Sequence, residues 1–322
     1  MTPRAYARAT WALLGFLLAV VVWGAFVRAT GSGAGCGAHW PVCNGELLPR
    51  APALETVIEL THRVSSGLTT ALVLAWVVLA FRLFPRGHRV RWSATLGGVA
   101  MLIEGAIGAA LVLLHLVERN DSPARAVVMS LHLVNTFLLL GVVLLTGLWA
   151  AGVARPQPRG QGAVGVLLWL SIAALVLLGI SGGLAALGDT LFPARSLAEG
   201  FRQDLSPSAH VLLRLRILHP VLAVISATWV LATAVVASFL RPSRGVRRGA
   251  LWVSGLVVVQ LVAGLVNLVL LAPVPMQLLH LLLADLLWLA VVQLAARALA
   301  EDAPRLAVAP LSAGESASLH AR

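Results

Sequence analysis

Apolar residues fall into eight long blocks along this chain, at about 9–28, 56–82, 92–117, 124–153, 163–187, 208–240, 249–272 and 275–298. Short stretches of Arg, Gly, Pro and acidic residues separate them. A helix needs roughly 20 apolar residues to cross the hydrocarbon core of a bilayer, so the pattern predicts eight transmembrane helices. Blocks two, four and six are longer, which predicts tilt or extension past the bilayer. The first block lacks a small-residue cleavage signal and runs into a loop of distinctive residues, so it reads as a span and not as a cleaved leader. After Ala303 the chain is Pro, Ala, Ser and Gly with scattered charge, which predicts a disordered tail over 303–322.

Composition narrows the class. Of 322 residues, 59% are hydrophobic and 11% charged, and the mean hydropathy is +0.90. A soluble domain carries about 25% charged residues, and this chain has too few to cover a globule. That excludes a soluble globule, a secreted disulfide scaffold, a disordered chain and a free nucleic-acid binder. The net charge of +11 comes entirely from Arg, since all 24 basic residues are Arg. Most sit in short loops, where they set topology and meet lipid headgroups. Fifteen of them flank one side of the predicted spans and six the other, while Arg63, Arg214 and Arg216 lie inside blocks. The positive-inside rule then predicts cytoplasmic termini and outward odd-numbered loops in the plasma membrane.

The blocks also repeat. Glu59-Leu-Thr-His62-Arg63 in block two is matched by Arg216-Ile-Leu-His219-Pro220 in block six. Glu104-Gly-Ala-Ile-Gly108 in block three is matched by Gln260-Leu-Val-Ala-Gly264 in block seven. His132 in block four is matched by His280 in block eight. The offsets are 157, 156 and 148 residues. The pattern predicts two pseudo-symmetric four-helix bundles, residues 1–154 and 155–302, each with His on its second and fourth helices. Four spans per unit leave both units in one orientation. All four His then lie in the outer half of the membrane, His62 roughly 9 Å into its helix.

A single intramembrane His reads equally well as a polar residue hydrogen-bonded between helices. Four at matched places in a duplicated bundle point to iron: two facing His in a four-helix bundle can ligate heme from both sides. Zinc fits less well, because each pair lacks a third and fourth ligand. His39, His88, His115, His210 and His320 read as interfacial or solvated. Three residues before the helical His stands Glu59 in one half and Arg216 in the other. A carboxylate suits proton transfer or charge stabilisation, and an Arg suits a heme propionate. Glu59 also reads as an interfacial carboxylate paired with Arg63. Cys36 and Cys43 are the only cysteines. Their outward loop and lack of other partners predict a disulfide, either a structural staple or a redox-active pair.

Together, Arg28-Ala-Thr30-Gly31-Ser32-Gly33, the Cys36…Trp40-Pro41…Cys43 loop and Glu59-Leu-Thr-His62-Arg63 resemble the heme A synthase family, over about residues 9–298. The resemblance implies oxidation of the C8 methyl of heme O to a formyl group by two successive oxidations and loss of water. The product is heme A, for cytochrome oxidase. It implies that His62 and His132 flank the substrate heme, with Glu59 as the catalytic carboxylate, and that His219 and His280 bind the iron of a prosthetic heme b. Arg216 is then a heme-binding residue of that second site. Implied partners are heme O, membrane lipid, heme O synthase, an electron-transfer partner and a second copy of the chain, but no nucleic acid. Some members carry a second cysteine pair between spans five and six, whereas residues 188–207 here contain none. The main alternative is a cytochrome b-like electron-transfer protein without porphyrin chemistry, against which the Glu59/Arg216 asymmetry argues. A transporter is disfavoured by the parallel repeats and the lack of a broken-helix pair.

Overall fold

The computed structural model describes residues 1–157 and 159–300, and the tail with His320 lies outside them. Among the described residues the chain is nearly all helical. Eight helices are long and apolar enough to cross a membrane: α1 (Pro3–Ala29), α2 (Leu54–Leu83), α3 (Arg89–Leu113), α4 (Pro123–Ala150), α5 (Gly162–Leu191), α7 (Val211–Leu240), α8 (Arg244–Val269) and α9 (Val274–Ala298). Each apolar block thus becomes one helix, with ends shifted by a few residues. Short polar residues start several of them. The Thr2, Ser122 and Ser243 hydroxyls accept backbone N–H bonds at the first turns of α1, α4 and α8, satisfying donors that a helix end otherwise leaves unpaired.

The hydropathy pattern did not reveal α6 (Leu197–Leu205), a nine-residue helix between α5 and α7. Ser196 caps it by accepting from Glu199 N–H. It is too short and polar to register as an apolar block.

The helices close into two rings. In the first, α1 packs on α2, α2 on α3, α3 on α4, and α4 returns to α1. In the second, α5 packs on α7, α7 on α8, α8 on α9, and α9 returns to α5. The His-bearing helices, α2 with α4 and α7 with α9, are therefore diagonal partners within their rings. The rings meet where α1 and α4 face α5 and α9.

Burial concentrates at that seam. From Asn135 onward α4 is buried on most of its faces, and so is α9 from Asp285 onward, as expected of helices apolar all round. Trp288 of α9 stacks on Phe137 of α4, ring centres 4.8 Å apart. Its indole N–H donates to the Phe137 carbonyl at 2.8 Å. Arg28 of α1 donates to the Ala186 carbonyl and Thr190 Oγ1 of α5, both at 2.8 Å, and to Gln277 Oε1 of α9 at 2.9 Å. Away from the seam, large apolar side chains such as Trp92, Phe239 and Leu251 are exposed. Helix association in lipid depends on close packing rather than on the hydrophobic effect. Gly97 illustrates it, since a Cβ there would stand 3.1 Å from the Trp76 ring.

Candidate functional site

The four histidines sit six to nine residues past the first residues of α2, α4, α7 and α9, about 9–14 Å along each helix axis. His219 and His280 face one another with ring centres 6.4 Å apart and ring planes at 89°. Ser181 of α5 lies 3.0 Å from His219 Nδ1, which leaves Nε2 of that ring to face a ligand. On α8, Gln260 Nε2 lies 3.3 Å from His280 Nε2 and also donates to the His280 carbonyl. Each ring rests against a glycine. A Cβ on Gly182 would stand 2.9 Å from His219 Cε1, and one on Gly264 would stand 2.9 Å from His280 Cε1. Any larger residue would push the imidazole aside.

In the first ring, His62 rests against Gly24 of α1 in the same way, 2.9 Å from a Cβ built there. Its Nδ1 is buried without a hydrogen-bond partner. His132 differs from the other three. Glu104 of α3 brings Oε1 to 3.2 Å from His132 Nδ1, although the contact lies off the ring N–H direction and completes no hydrogen bond. Asn135 Nδ2 donates to Glu104 Oε2 at 2.5 Å, and Thr136 Oγ1 donates to Glu104 Oε1. In the sequence Glu104 stands out only as a repeat marker. The available signal was its pairing with Gln260 across the repeat.

Glu59, also buried, is turned to the cysteine loop. Its Oε1 accepts from Arg63 Nε and Nη2, and its Oε2 accepts from the Cys36 backbone N–H at 2.8 Å. Arg63 reaches on to the His39 and Val42 carbonyls. The loop is closed by the Cys36–Cys43 disulfide. Thr56 Oγ1 donates to the Gly35 carbonyl at 2.7 Å, and a Cβ on Gly35 would stand 2.5 Å from the Glu55 backbone. The Glu59–Arg63 pair thus clamps this loop onto the start of α2. Spacing of three had placed Glu59 on the face of His62. The structure gives its carboxylate partners in the loop.

Arg216 likewise has partners within the protein. It bonds both oxygens of Asp204 on α6 and reaches Asp189 Oδ1 on α5 at 3.0 Å. This ion pair fastens the short helix over the second ring. Arg214 donates to the Pro207 carbonyl. His210 caps α7, its Nδ1 accepting from Leu212 N–H, and His88 caps α3 in the same manner.

Among the described residues no three His, Cys, Asp or Glu side chains converge to cage a bare metal ion. Two imidazoles facing from diagonal helices are the donor set for iron that arrives with four porphyrin nitrogens of its own. Bonds of about 2 Å from each ring nitrogen, plus ~1 Å from nitrogen to ring centre, would put such rings roughly 6 Å apart. The His219–His280 separation meets that requirement. The glycine cradles of His62, His219 and His280 fit the same group.

Comparison with known proteins agrees. Residues 7–292 match the family described as cytochrome oxidase assembly protein. A Thermus thermophilus protein named Protoheme IX farnesyltransferase is 49% identical over 296 residues, which is 92% of this chain and 49% of that protein. A heme A synthase of Alkalihalophilus pseudofirmus is 35% identical over 131 residues, 40% of this chain and 41% of its own length. One of Halalkalibacterium halodurans is 36% identical over 143 residues, 44% and 45% respectively. The chain spans about half the length of these relatives or less. With a family match running almost end to end over its membrane-spanning helices, this chain is a multi-pass membrane protein of the cytochrome oxidase assembly family, to which heme A synthases belong.

Proposed function

We propose that this protein is a membrane oxidoreductase that converts the C8 methyl of heme O to the formyl group of heme A. On this reading the chain is two duplicated bundles in the plasma membrane, termini cytoplasmic and heme sites outward. The observation that carries the proposal is the unequal surroundings of two matched His pairs. His219 and His280 stand face to face, with Ser181 on one ring and Gln260 on the other. Groups that fix a ligating imidazole suit a permanent prosthetic group, here heme b. His62 lacks such a partner, and His132 lies beside a carboxylate. A looser, charged site suits a substrate that must enter and leave. Turning the methyl into a formyl group adds one oxygen atom, as from water, and removes four electrons; bound heme iron would supply the redox chemistry that side chains lack, with the electrons leaving to the electron-transfer partner.

The residues supply the rest. His62 and His132 orient the substrate from opposite sides. Glu59, fixed by Arg63 and the Cys36 N–H, is the carboxylate that offsets positive charge developing near the reacting methyl. The apolar bundle admits a farnesyl-bearing substrate from the lipid. Arg216 helps hold heme b indirectly, by keeping α6 over that site. Heme O synthase, an electron-transfer partner and a second copy of the chain are the partners this activity calls for.

The Thermus relative's name favours a second reading, in which this chain itself transfers a farnesyl group. The match covers 49% of that protein, so the name has room to describe the remainder. Prenyl transfer from a diphosphate draws on Mg²⁺ held by carboxylates and the phosphates. The five Asp here are scattered singly, at 121, 189, 204, 285 and 302. Pigment extraction separates the readings. Expressed in cells that make heme O but no heme A, the chain is expected to yield heme A. Assembled protein that yields no heme A there, but yields heme O in cells that otherwise make protoheme and no heme O, would establish the second reading instead.

A further inference from the structure

The carboxylate beside His132 has a setting built on one side of the molecule only. Glu104 and Gln260 are repeat mates, 156 residues apart, and so are His132 and His280, 148 apart. The donors that dock Glu104 are Asn135 and Thr136, three and four residues past His132, on the same turn of α4. Their repeat mates past His280 are Leu283 and Ala284, which have no side-chain donor. A carboxylate with its two supporting donors has therefore been exchanged as a set for an amide with apolar neighbours. Asn135 and Thr136 are both buried, at 8% exposure, and Asn135 also donates to the Ala100 carbonyl of α3 at 2.9 Å. Such a network holds Glu104 at His132.

We infer that Glu104 is a positioning residue that polarises His132, so that the first ring holds ferric heme in preference to ferrous heme while the second ring, with neutral Gln260, does not. This rests on the reading that the first ring takes the substrate heme. A small rotation of the ring aligns its Nδ1–H with Glu104 Oε1 and leaves Nε2 toward the iron. A carboxylate accepting from the distal N–H of a ligating imidazole fixes its tautomer and raises its basicity. A more basic ligand favours the more positive metal. The two irons of one protein then differ in potential, the first ring's being the lower, through the Glu104/Gln260 exchange and the docking donors that accompany it.

The test uses hemin-loaded, full-length protein and optical redox titration. Two components are expected in the unaltered protein. Glu104→Gln is expected to weaken ferric hemin binding at one site about 10–100-fold with little change for the ferrous form. That component's midpoint then rises by about 59 mV per tenfold, while the other stays in place. Gln still accepts from Asn135 and Thr136, so a purely structural Glu104 predicts no shift. If Glu104→Gln fails to assemble, Asn135→Leu removes one docking donor and should move the same component the same way by less. Two unmoved components, or two that move together, overturn the inference. Uptake of a single hemin that is lost with His219→Ala would show an empty first ring, which overturns the functional reading and this inference with it.

Discussion

In the second ring Ser181 sits at the His219 imidazole and Gln260 at His280. In the first, the residues at the matching places are Trp23 and Glu104. Trp23 donates to the Ile58 carbonyl, leaving the His62 Nδ1 without a partner. Glu104 adds a charge beside His132. The His positions match along the repeat while their surroundings diverge. Surroundings of this kind decide which ligands stay rigid and which metal states they favour. On the proposed function, one architecture holds a permanent heme in one half and processes another in the other, with a matched pair of His in each.

The largest expected effects test that division directly. His219→Ala or His280→Ala removes an imidazole and leaves an apolar gap that cannot ligate iron, so the low-spin b-type spectrum should vanish. His62→Ala or His132→Ala should keep that spectrum and abolish heme A. An unchanged b-type band in the first pair of variants would break the assignment. Next, Glu59→Gln should preserve assembly and the b-type spectrum but cut heme A output by roughly 10²–10⁴-fold, with heme O accumulating in extracted pigment. Its contacts sharpen this test. If Glu59 acts only by clamping the loop, a Cys36→Ser/Cys43→Ser variant should lose as much output. If the carboxylate itself is needed, the double variant should lose less.

The glycine cradles predict intermediate effects that differ between halves. Gly182→Ala puts a methyl 2.9 Å from His219 Cε1. Overpacking of this kind costs about 1–3 kcal/mol, so heme b affinity should fall about five- to a hundredfold in a hemin titration. Gly24→Ala should weaken substrate heme binding to a similar degree and leave heme b alone. The smallest effect belongs to the seam. Thr190→Ala removes one of three acceptors for Arg28 and should cost about 1 kcal/mol, read as a modest drop in thermal stability with both hemes retained.

The eight spans were legible because a membrane helix announces itself by length and apolarity, and lipid leaves few other ways to satisfy the backbone. The four His were legible because they recur at matched places in two halves. Glu104 was harder to place, since its partner is on another helix. Spacing along one helix shows which residues share a face, but not what the next helix brings to it. The same limit explains Glu59: three residues from His62 put it near that face, yet a folded-back loop claimed its carboxylate. The short helix α6 and the Arg216–Asp204–Asp189 cluster depend on contacts between segments up to 27 residues apart, which no local pattern encodes. The disulfide was simpler, because two cysteines in one loop leave a single pairing.

Arg28 also constrains the order in which the protein can mature on the ribosome. It sits near the end of α1, and its three acceptors lie 158, 162 and 249 residues further on. At about 5–20 residues per second, the last of them is synthesised roughly 10–50 s after Arg28. Until α5 is made, 158–162 residues on, the guanidinium has no partner from that helix, and until the end of the interval none from α9, and a bare charge is costly inside hydrocarbon. Its long side chain can reach headgroups and water in the meantime. Completion of α9 then draws it into the seam, so a span made some 249 residues later locks α1 in place.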